Sequence, residues 1–225
     1  MRIIIVNGSP RASGATGQIL SRIRGTIQKM DANMEIEYID LAKIHMNFCT
    51  GCASCYSSGV CPVNDELEKL SQNIETCNGV VLGSPTYASN VSGQFKILID
   101  RGHFVFEQLL KNKACFSVVT YENYGGKKAM GIMNDLIRKS GGAVSAKCLM
   151  KLNHGDMALN AHRNKQIEKQ CHRFLRRVFQ KNPLSPYERL MSYIVFNAGI
   201  KPHVFKNESR YKGLMAKWAA KGLFS

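Results

Sequence analysis

Five runs of apolar, mostly β-branched residues punctuate the first 150 positions, and between them apolar residues recur every three to four places. The runs fall at 2–6 (Arg-Ile-Ile-Ile-Val), 35–41 (Glu-Ile-Glu-Tyr-Ile-Asp-Leu), 79–83 (Gly-Val-Val-Leu-Gly), 114–120 (Ala-Cys-Phe-Ser-Val-Val-Thr) and 142–150. Continuous runs such as 2–6 and 79–83 are the pattern of strands buried on both faces of a parallel sheet, while 35–41 alternates. The intervening stretches put Ile19, Leu20, Ile23, Ile27 and Met30 on one helical face. They put Leu67, Leu70 and Ile74 on a second, with Asp65 as the cap, and Met130, Met133 and Ile137 on a third. Strands alternating with helices predict an α/β domain, a parallel sheet covered on both sides.

After residue 150 the strand pattern stops. Positions 161–179 carry helical spacing at Ile167, Cys171, Phe174, Leu175 and Val178, with Arg173, Arg176 and Arg177 facing away. Asn182-Pro-Leu-Ser-Pro186 breaks it, 187–197 resumes, and Trp218 falls in a last helix with Leu214 and Met215. The longest apolar stretch, 190–200, is interrupted by Ser192, Asn197 and Gly199 and falls short of the roughly 18 residues that span a bilayer. Met1-Arg2 leads straight into the first strand run without a leader-like segment, so a cytoplasmic location is expected.

Composition adds little until charge is divided along the chain. The 225 residues are 44% hydrophobic and 21% charged, an ordinary globular balance, but the net charge is +15. Residues 1–150 hold 16 Lys and Arg against 12 Asp and Glu, and residues 151–225 hold 15 against 4, so the tail alone contributes +11. The expected reading is a basic helical extension docked on the core or on a neighbouring subunit, with peripheral membrane contact as the alternative. No nucleic-acid recognition motif accompanies the charge, and no nucleic-acid partner is expected.

The densest chemistry is Cys49-Thr-Gly-Cys52-Ala-Ser-Cys55-Tyr-Ser-Ser-Gly-Val-Cys61, followed by Pro62. Several disulfides in so short a span are sterically awkward. The spacing shares its first gaps and its Cys-Pro end with the bacterial ferredoxin run, with two extra residues in the last gap. With no other four-cysteine group present, Cys49, Cys52, Cys55 and Cys61 are expected to ligate one [4Fe–4S] cluster. Zinc, which usually draws on two separated Cys/His pairs, and redox-active thiols remain as alternatives. Cys77, Cys115, Cys148 and Cys171 are scattered in apolar contexts and read as buried thiols.

Asn7-Gly-Ser-Pro-Arg-Ala-Ser-Gly-Ala-Thr16 lies between the first strand and the first helix, where backbone N–H groups and hydroxyls make a phosphate site. It is neither G-x-G-x-x-G nor a Walker A sequence. Two further strand ends, at 84–92 and 120–126, are rich in Gly, Ser, Thr, Tyr and Asn. In a doubly wound sheet, ligands bind outside the carboxyl ends of the strands, and FMN does so in the flavodoxin-like strand order. The cysteine loop follows the second strand, which predicts a position beside that same sheet end. His154 and His162 lie outside these loops and read as surface residues, and no His/Ser/Asp arrangement points to hydrolysis.

Together, Gly8-Ser-Pro-Arg-x-x-Gly-x-Thr16, Gly83-Ser-Pro-Thr-Tyr87 with Ser92-Gly-x-x-Lys96 and Asp100-Arg101, and the compact cysteine motif resemble the iron–sulfur flavoproteins within the NAD(P)H-dependent FMN reductases. The resemblance implies a flavodoxin-like, doubly wound, five-stranded parallel sheet of order 2-1-3-4-5 with a helical C-terminal extension. It implies an FMN-binding domain over 1–150, interrupted by the cysteine loop at about 45–64, and the extension over 151–225. Ser9, Arg11, Ser13, Ala15 and Thr16 would hold the phosphate; Pro85, Thr86, Tyr87 and Asn90 would flank the isoalloxazine; and Tyr121, Glu122, Asn123, Tyr124 and Gly125 would meet its pyrimidine edge. Glu122 and Tyr124 depart from the Gly/Ser-rich third loop of many relatives, and an acidic group there would disfavour a negatively charged reduced flavin. Lys96 and Arg101 would either belong to the second flavin loop or only line a helix face or an oligomer interface. The expected activity is electron transfer between NAD(P)H or ferredoxin and a small acceptor (a quinone, a flavin or an oxygen species), carried by FMN and the cluster rather than by a catalytic side chain. The expected assembly is a homodimer or homotetramer bringing each cluster near a flavin. The alternative is a zinc-binding or thiol-based redox sensor on the same scaffold.

Overall fold

The computed structural model describes residues 1–153 and 155–224. Five strands, β1 (Arg2–Asn7), β2 (Glu35–Asp40), β3 (Gly79–Pro85), β4 (Ala114–Tyr121) and β5 (Ala143–Lys151), form one sheet in the order β2-β1-β3-β4-β5. Every neighbouring pair is parallel. This is the doubly wound order read from the sequence, and its cause is visible in β1. Side chains of a strand alternate between faces, so Ile3 and Ile5 enter one core while Ile4 and Val6 enter the other. All four are fully buried, each contributing about 1.5–3 kcal/mol of hydrophobic stabilisation.

The first face is covered by α3 (Leu67–Thr76), α4 (Gly93–Arg101) and α5 (Gly126–Lys139) through Leu67, Leu70, Ile74, Phe95, Leu98, Met133 and Ile137. The second is covered by α1 (Ala15–Met30) and α6 (Ala161–Val178). Helix α6 has the apolar stripe foreseen for it, and Ile167, Cys171 and Phe174 are fully buried against the sheet. The partition expected at about residue 150 therefore separates β5 from a helix that shares its core.

Beyond α6, Asn182 to Pro186 turns the chain as the two prolines dictate, and Ser185 with Glu188 forms a capping box for α7 (Pro186–Tyr193). Glu188 also accepts the N–H of Val144 on the edge strand β5 at 2.9 Å. The helix continues through a π-helical stretch, Ile194–Ile200, into α8 (Lys201–Lys206), beyond the end at 197 read from the sequence. A last helix, α9 (Glu208–Ala220), bends at Tyr211. Phe196, Val204, Tyr211, Leu214, Trp218 and Leu223 make a third small core, joined by Tyr56 and Phe106. Tyr56 belongs to the single-turn α2 (Ser54–Ser57) inside the cysteine loop, so the extension is packed directly onto that loop. No helix among the described residues is long and apolar enough to cross a membrane.

Candidate functional site

Two cavities collect most of the residues singled out from the sequence. The first lies over the carboxyl ends of the strands and has a volume of about 350 Å³. Its walls include Arg11, Ala15, Pro85, Thr86, Tyr87, Tyr121 and Glu122.

The loops that build it are stitched by the residues between the strands and helices. Asn7 donates its amide to Asp40 at 2.6 Å and accepts the N–H of Ser9 at 3.1 Å. Gly8 donates its N–H to the carbonyl of Gly83 at 2.8 Å, and the Ser92 hydroxyl donates to the carbonyl of Gly8, so the first two loops are tied. Ser92 also caps α4 by accepting the N–H of Phe95. Within the first loop, Ser9 donates to the Arg11 carbonyl at 2.9 Å, while Ser13 is exposed. Gly14 stands at the cap of α1 with no side chain to satisfy the first-turn N–H groups, which leaves them for an anion.

Thr16 is buried, and its hydroxyl pairs with that of Thr120 at 2.7 Å, locking α1 to the end of β4. In the second loop, Tyr87 and Asn90 exchange backbone hydrogen bonds of 3.0 and 2.9 Å, closing a tight turn that leaves Tyr87 exposed. Asn90 spends its side-chain oxygen on the N–H of Val91 at 2.8 Å. In the third loop Gly125 has φ 81°, and a Cβ there would come within 2.5 Å of Ser89 Cα, so glycine lets this loop lie on the second. Asn123 and Tyr124 are exposed and do not line the cavity.

Thr120, Leu152, Asn153, Gly155 and Asp156 complete the walls and were not singled out from the sequence. The signal was available: β5 also ends at the carboxyl side of the sheet, and its loop joins the others through the Leu152 N–H to the Tyr121 carbonyl, 2.9 Å. His154 lies outside the described residues; His162 is exposed.

FMN fits this cavity. Unpartnered helix N–H groups face its phosphate end, Tyr87 and Tyr121 offer ring faces, and the buried Thr86 hydroxyl has no hydrogen-bond partner among the described residues. A buried polar atom left unpaired costs about 1–3 kcal/mol, which a ligand carbonyl or ring nitrogen would relieve.

The second cavity, of about 370 Å³, is lined by Cys49, Cys52, Cys55 and Cys61. Ile99, Phe104, Val105 and Phe106 give it apolar walls, and Arg101, His103 and Arg210 give it positive ones. All four thiols are free and at least partly exposed, whereas Cys77, Cys115, Cys148 and Cys171 are buried. Burial pushes the Cys77 thiol up to about 11, those of Cys148 and Cys171 up to about 12, and that of Cys115 up as well, so these four are inert at neutral pH. Among the described residues no group of three or more His, Cys, Asp or Glu side chains converges as a preformed metal site. The four cysteines share one chamber without being drawn to a point.

Arg101 is the cation that organises the chamber. The resemblance leaves it either with the second flavin loop or on a helix face or interface; it does not line the strand-end cavity and is buried in the last turn of α4. Its guanidinium pairs bidentately with Asp65, whose side chain is fully buried, and donates to Cys61 Sγ at 3.4 Å and to the Asn47 carbonyl at 2.9 Å. Asp65, expected as a helix cap, sits two residues before α3 and spends its carboxylate chiefly on this pair, with Leu67 N–H a further donor at 3.2 Å. Burial alone would raise the Asp65 carboxyl, but Arg101 and the N–H groups of Asn47 and Leu67 win and hold it at about 2. His103 is raised to about 9: burial opposes its charge, but hydrogen bonds to Cys55 and Glu107 outweigh it. Lys96, by contrast, makes only an exposed pair with Asp100 along α4.

The two cavities touch opposite ends of the same helices. Pro85–Tyr87 and Tyr121–Glu122 lead into α4 and α5, whereas Ile99–Arg101 and Leu136 lie in their last turns. At about 1.5 Å per residue, the first residues of α4 and α5 lie about 12–15 Å from Arg101 and Leu136 in the last turns. The cysteine chamber shares no lining residue with the strand-end cavity. The start of the loop is tied to the residues just before α3 by His45 N–H to Glu66 at 2.6 Å and Asn47 N–H to Asp65 at 2.8 Å, and through Asp65 to Arg101 at the end of α4.

The family profile of NADPH-dependent FMN reductase matches residues 1–149. An iron-sulfur flavoprotein of Clostridioides difficile (strain 630) is 34% identical over 224 residues, 99% of this chain and 100% of its own. An iron-sulfur flavoprotein of Archaeoglobus fulgidus is 31% identical over 146 residues, 63% of this chain and 64% of its own. Among solved structures, RosB with bound 8-demethyl-8-formylriboflavin-5'-phosphate aligns with a TM-score of 0.62 at 13% identity, covering 92% of this chain and 86% of that one. A flavodoxin from the domain Archaea aligns at 0.55 and 14% identity, covering 80% and 100%. At these identities the structural likenesses speak to the fold alone. The chain therefore belongs to the NADPH-dependent FMN reductase family, among its iron-sulfur flavoproteins, and is a flavin-dependent oxidoreductase of flavodoxin-like fold.

Proposed function

We propose that this protein holds FMN in the strand-end cavity and one [4Fe–4S] cluster in the cysteine cavity, and passes electrons between NAD(P)H or ferredoxin and a small acceptor such as a quinone, a flavin or an oxygen species. The observation that carries this reading is the chamber itself: all four clustered cysteines line one cavity with a buried arginine donating to one of their sulfurs. When bound, FMN exchanges two electrons at once and a cluster one at a time, so together they would interconvert paired and single electrons.

The residues supply position and field. The N-terminus of α1 and Arg11 would hold the phosphate, and Thr86 would donate to or accept from the ring. Tyr87 would cover one ring face, with Glu122 at the rim. Arg101 and His103 would offset the negative charge of thiolate ligands, and the apolar wall of Ile99, Phe104 and Val105 would keep water from them. Because the two cavities lie at opposite ends of α4 and α5, the cysteine chamber is better placed to serve the flavin of a partner subunit than its own. Exposed Phe48 and Val60 beside the chamber, and Tyr124 and Met157 beside the strand-end loops, are the apolar surface such a dimer or tetramer would cover.

Anaerobic purification followed by iron, sulfide and flavin analysis tests the proposal. Four irons and one FMN per chain are expected, and Cys55→Ala should remove the iron while FMN stays bound. A colourless protein carrying one zinc would sink the cluster reading and favour the zinc or thiol sensor.

A further inference from the structure

The last helix touches the cysteine loop more intimately than a docked appendage needs to. Gly213 of α9 faces Gly59 of the loop so closely that a Cβ on Gly213 would come within 2.7 Å of Gly59 Cα, and closer still to Gly59 N and Ser58 C. Gly59 itself has φ 80°, and its own Cβ would meet the Gly213 carbonyl at 3.1 Å. Around this backbone contact Tyr56, Phe106 and Tyr211 form a ring cluster with centroids 5.0–6.0 Å apart. Trp218 donates its indole N–H to the Phe106 carbonyl at 2.7 Å. Lys217 pairs with the buried Glu107 at 2.8 Å, and Glu107 bonds His103, also at 2.8 Å, on the wall of the chamber. Arg210, one turn before Gly213, lines the chamber directly.

We infer that α9 is a clamp on the metal loop: Gly213 is a positioning residue that lets the helix lie on Gly59, and the C-terminal extension exists in part to fix Cys52, Cys55 and Cys61 in the geometry that holds their metal. The inference uses the cysteine chamber of the preceding proposal but not the identity of its metal. Loop residues 49–61 make few contacts with the sheet cores. Besides α9, they are held by the Arg101 and His103 contacts to Cys61 and Cys55 and by the Tyr56–Phe106 ring pair.

Gly213→Ala separates this role from helix stability by sign. Within a helix, Ala is favoured over Gly by about 1 kcal/mol, so if α9 only packs on the core the variant should be neutral or more stable. If α9 clamps the loop, the new methyl must displace Gly59. The full-length variant should then release its metal to a chelator several-fold faster than wild type, and the absorption and circular dichroism of the metal centre should shift while the flavin bands do not. Hydrogen exchange over 49–61, which needs no metal, should quicken in the variant. Gly131→Ala, where a Cβ meets nothing within 4 Å, should change none of these. Unchanged metal release and unchanged exchange in Gly213→Ala overturn the inference. Wild-type protein with zinc in place of iron defeats the cluster reading alone, since the clamp is read equally from zinc release.

Discussion

Asp65 and Arg101 show how far a residue's role can depart from its local sequence. Asp65, two residues before an apolar helical stripe, has the type and position of a cap, and Arg101 ends an amphipathic helix as a dipole-complementing cation would. Neither position announces that 36 residues away there is a partner, because an ion pair at that separation depends on how α3 and α4 lie on the sheet. Once formed it is buried, with side-chain exposures of 3% and 0%, and breaking such a pair is costly because the remaining charge stays desolvated. The sign of its pH dependence follows from the depressed carboxyl. Asp65 titrates at about 2 in the fold against about 3.9 when exposed. Its stabilisation, about 2–3 kcal/mol, is therefore fully present above pH 4 and is lost as pH falls through 2. In urea unfolding, Asp65→Asn should be clearly less stable than wild type near neutrality, and the gap should close toward pH 2. A gap that does not change over that interval would remove Asp65 as its source.

At the scale of elements, the amphipathic stripes predicted their own burial. Helix α6 illustrates this: Ile167, Cys171, Phe174, Leu175 and Val178 were marked by spacing alone and all are buried. What the stripe could not say is which surface it meets. Phe174 packs on Phe116 of β4 with ring centroids 5.8 Å apart, and a Cβ on Gly79 of β3 would meet its ring at 2.9 Å. The helix of the extension therefore docks on the sheet's second face. Phe174→Ala should cost about 3–5 kcal/mol, read as a lowered urea midpoint with little change in slope. A loosely docked helix would instead lose less than about 1 kcal/mol. The strand-end loops show the same division. Their Gly, Ser and Thr content marked them as ligand-binding, but the Thr16–Thr120 and Gly125–Ser89 contacts depend on which strands are neighbours.

For the whole molecule, charge and shape combine. The +11 of residues 151–225 is partly engaged: Lys217 and Lys221 meet Glu107 and Glu75, and Arg177 bonds the Pro183 carbonyl. Arg163 pairs with Asp156, Lys201 bonds the Phe224 carbonyl and Arg210 lines the cysteine chamber, while Lys165, Lys169, Arg173, Arg176, Lys181, Arg189, Lys206 and Lys212 are exposed. The two cavities at opposite ends of α4 and α5 argue for assembly through the surfaces that carry Tyr124, Met157, Phe48 and Val60. Light scattering on the intact protein should accordingly give a dimer or tetramer. Tyr124→Glu, at a side chain 74% exposed in the single chain, should shift that mass toward the monomer without loss of FMN. A wild-type monomer at micromolar concentration would contradict the shared-site arrangement.

The sequence by itself determined the elements that depend on short-range pattern: five strand runs, three of their loops, the stripes of α1, α3, α5 and α6, and four cysteines too closely spaced for ordinary disulfides. Periodicity and local spacing are properties of neighbours along the chain, so they are readable without coordinates. Only the tertiary structure decided that the cysteine loop is anchored to the end of α4, that Arg101 reaches Cys61, that the loop after β5 closes the strand-end cavity, and that α9 lies on Gly59. Each of these joins residues whose separation in sequence carries no periodic signal, and each was settled by packing: a buried charge finding its counter-charge, and two glycines allowing backbones to meet.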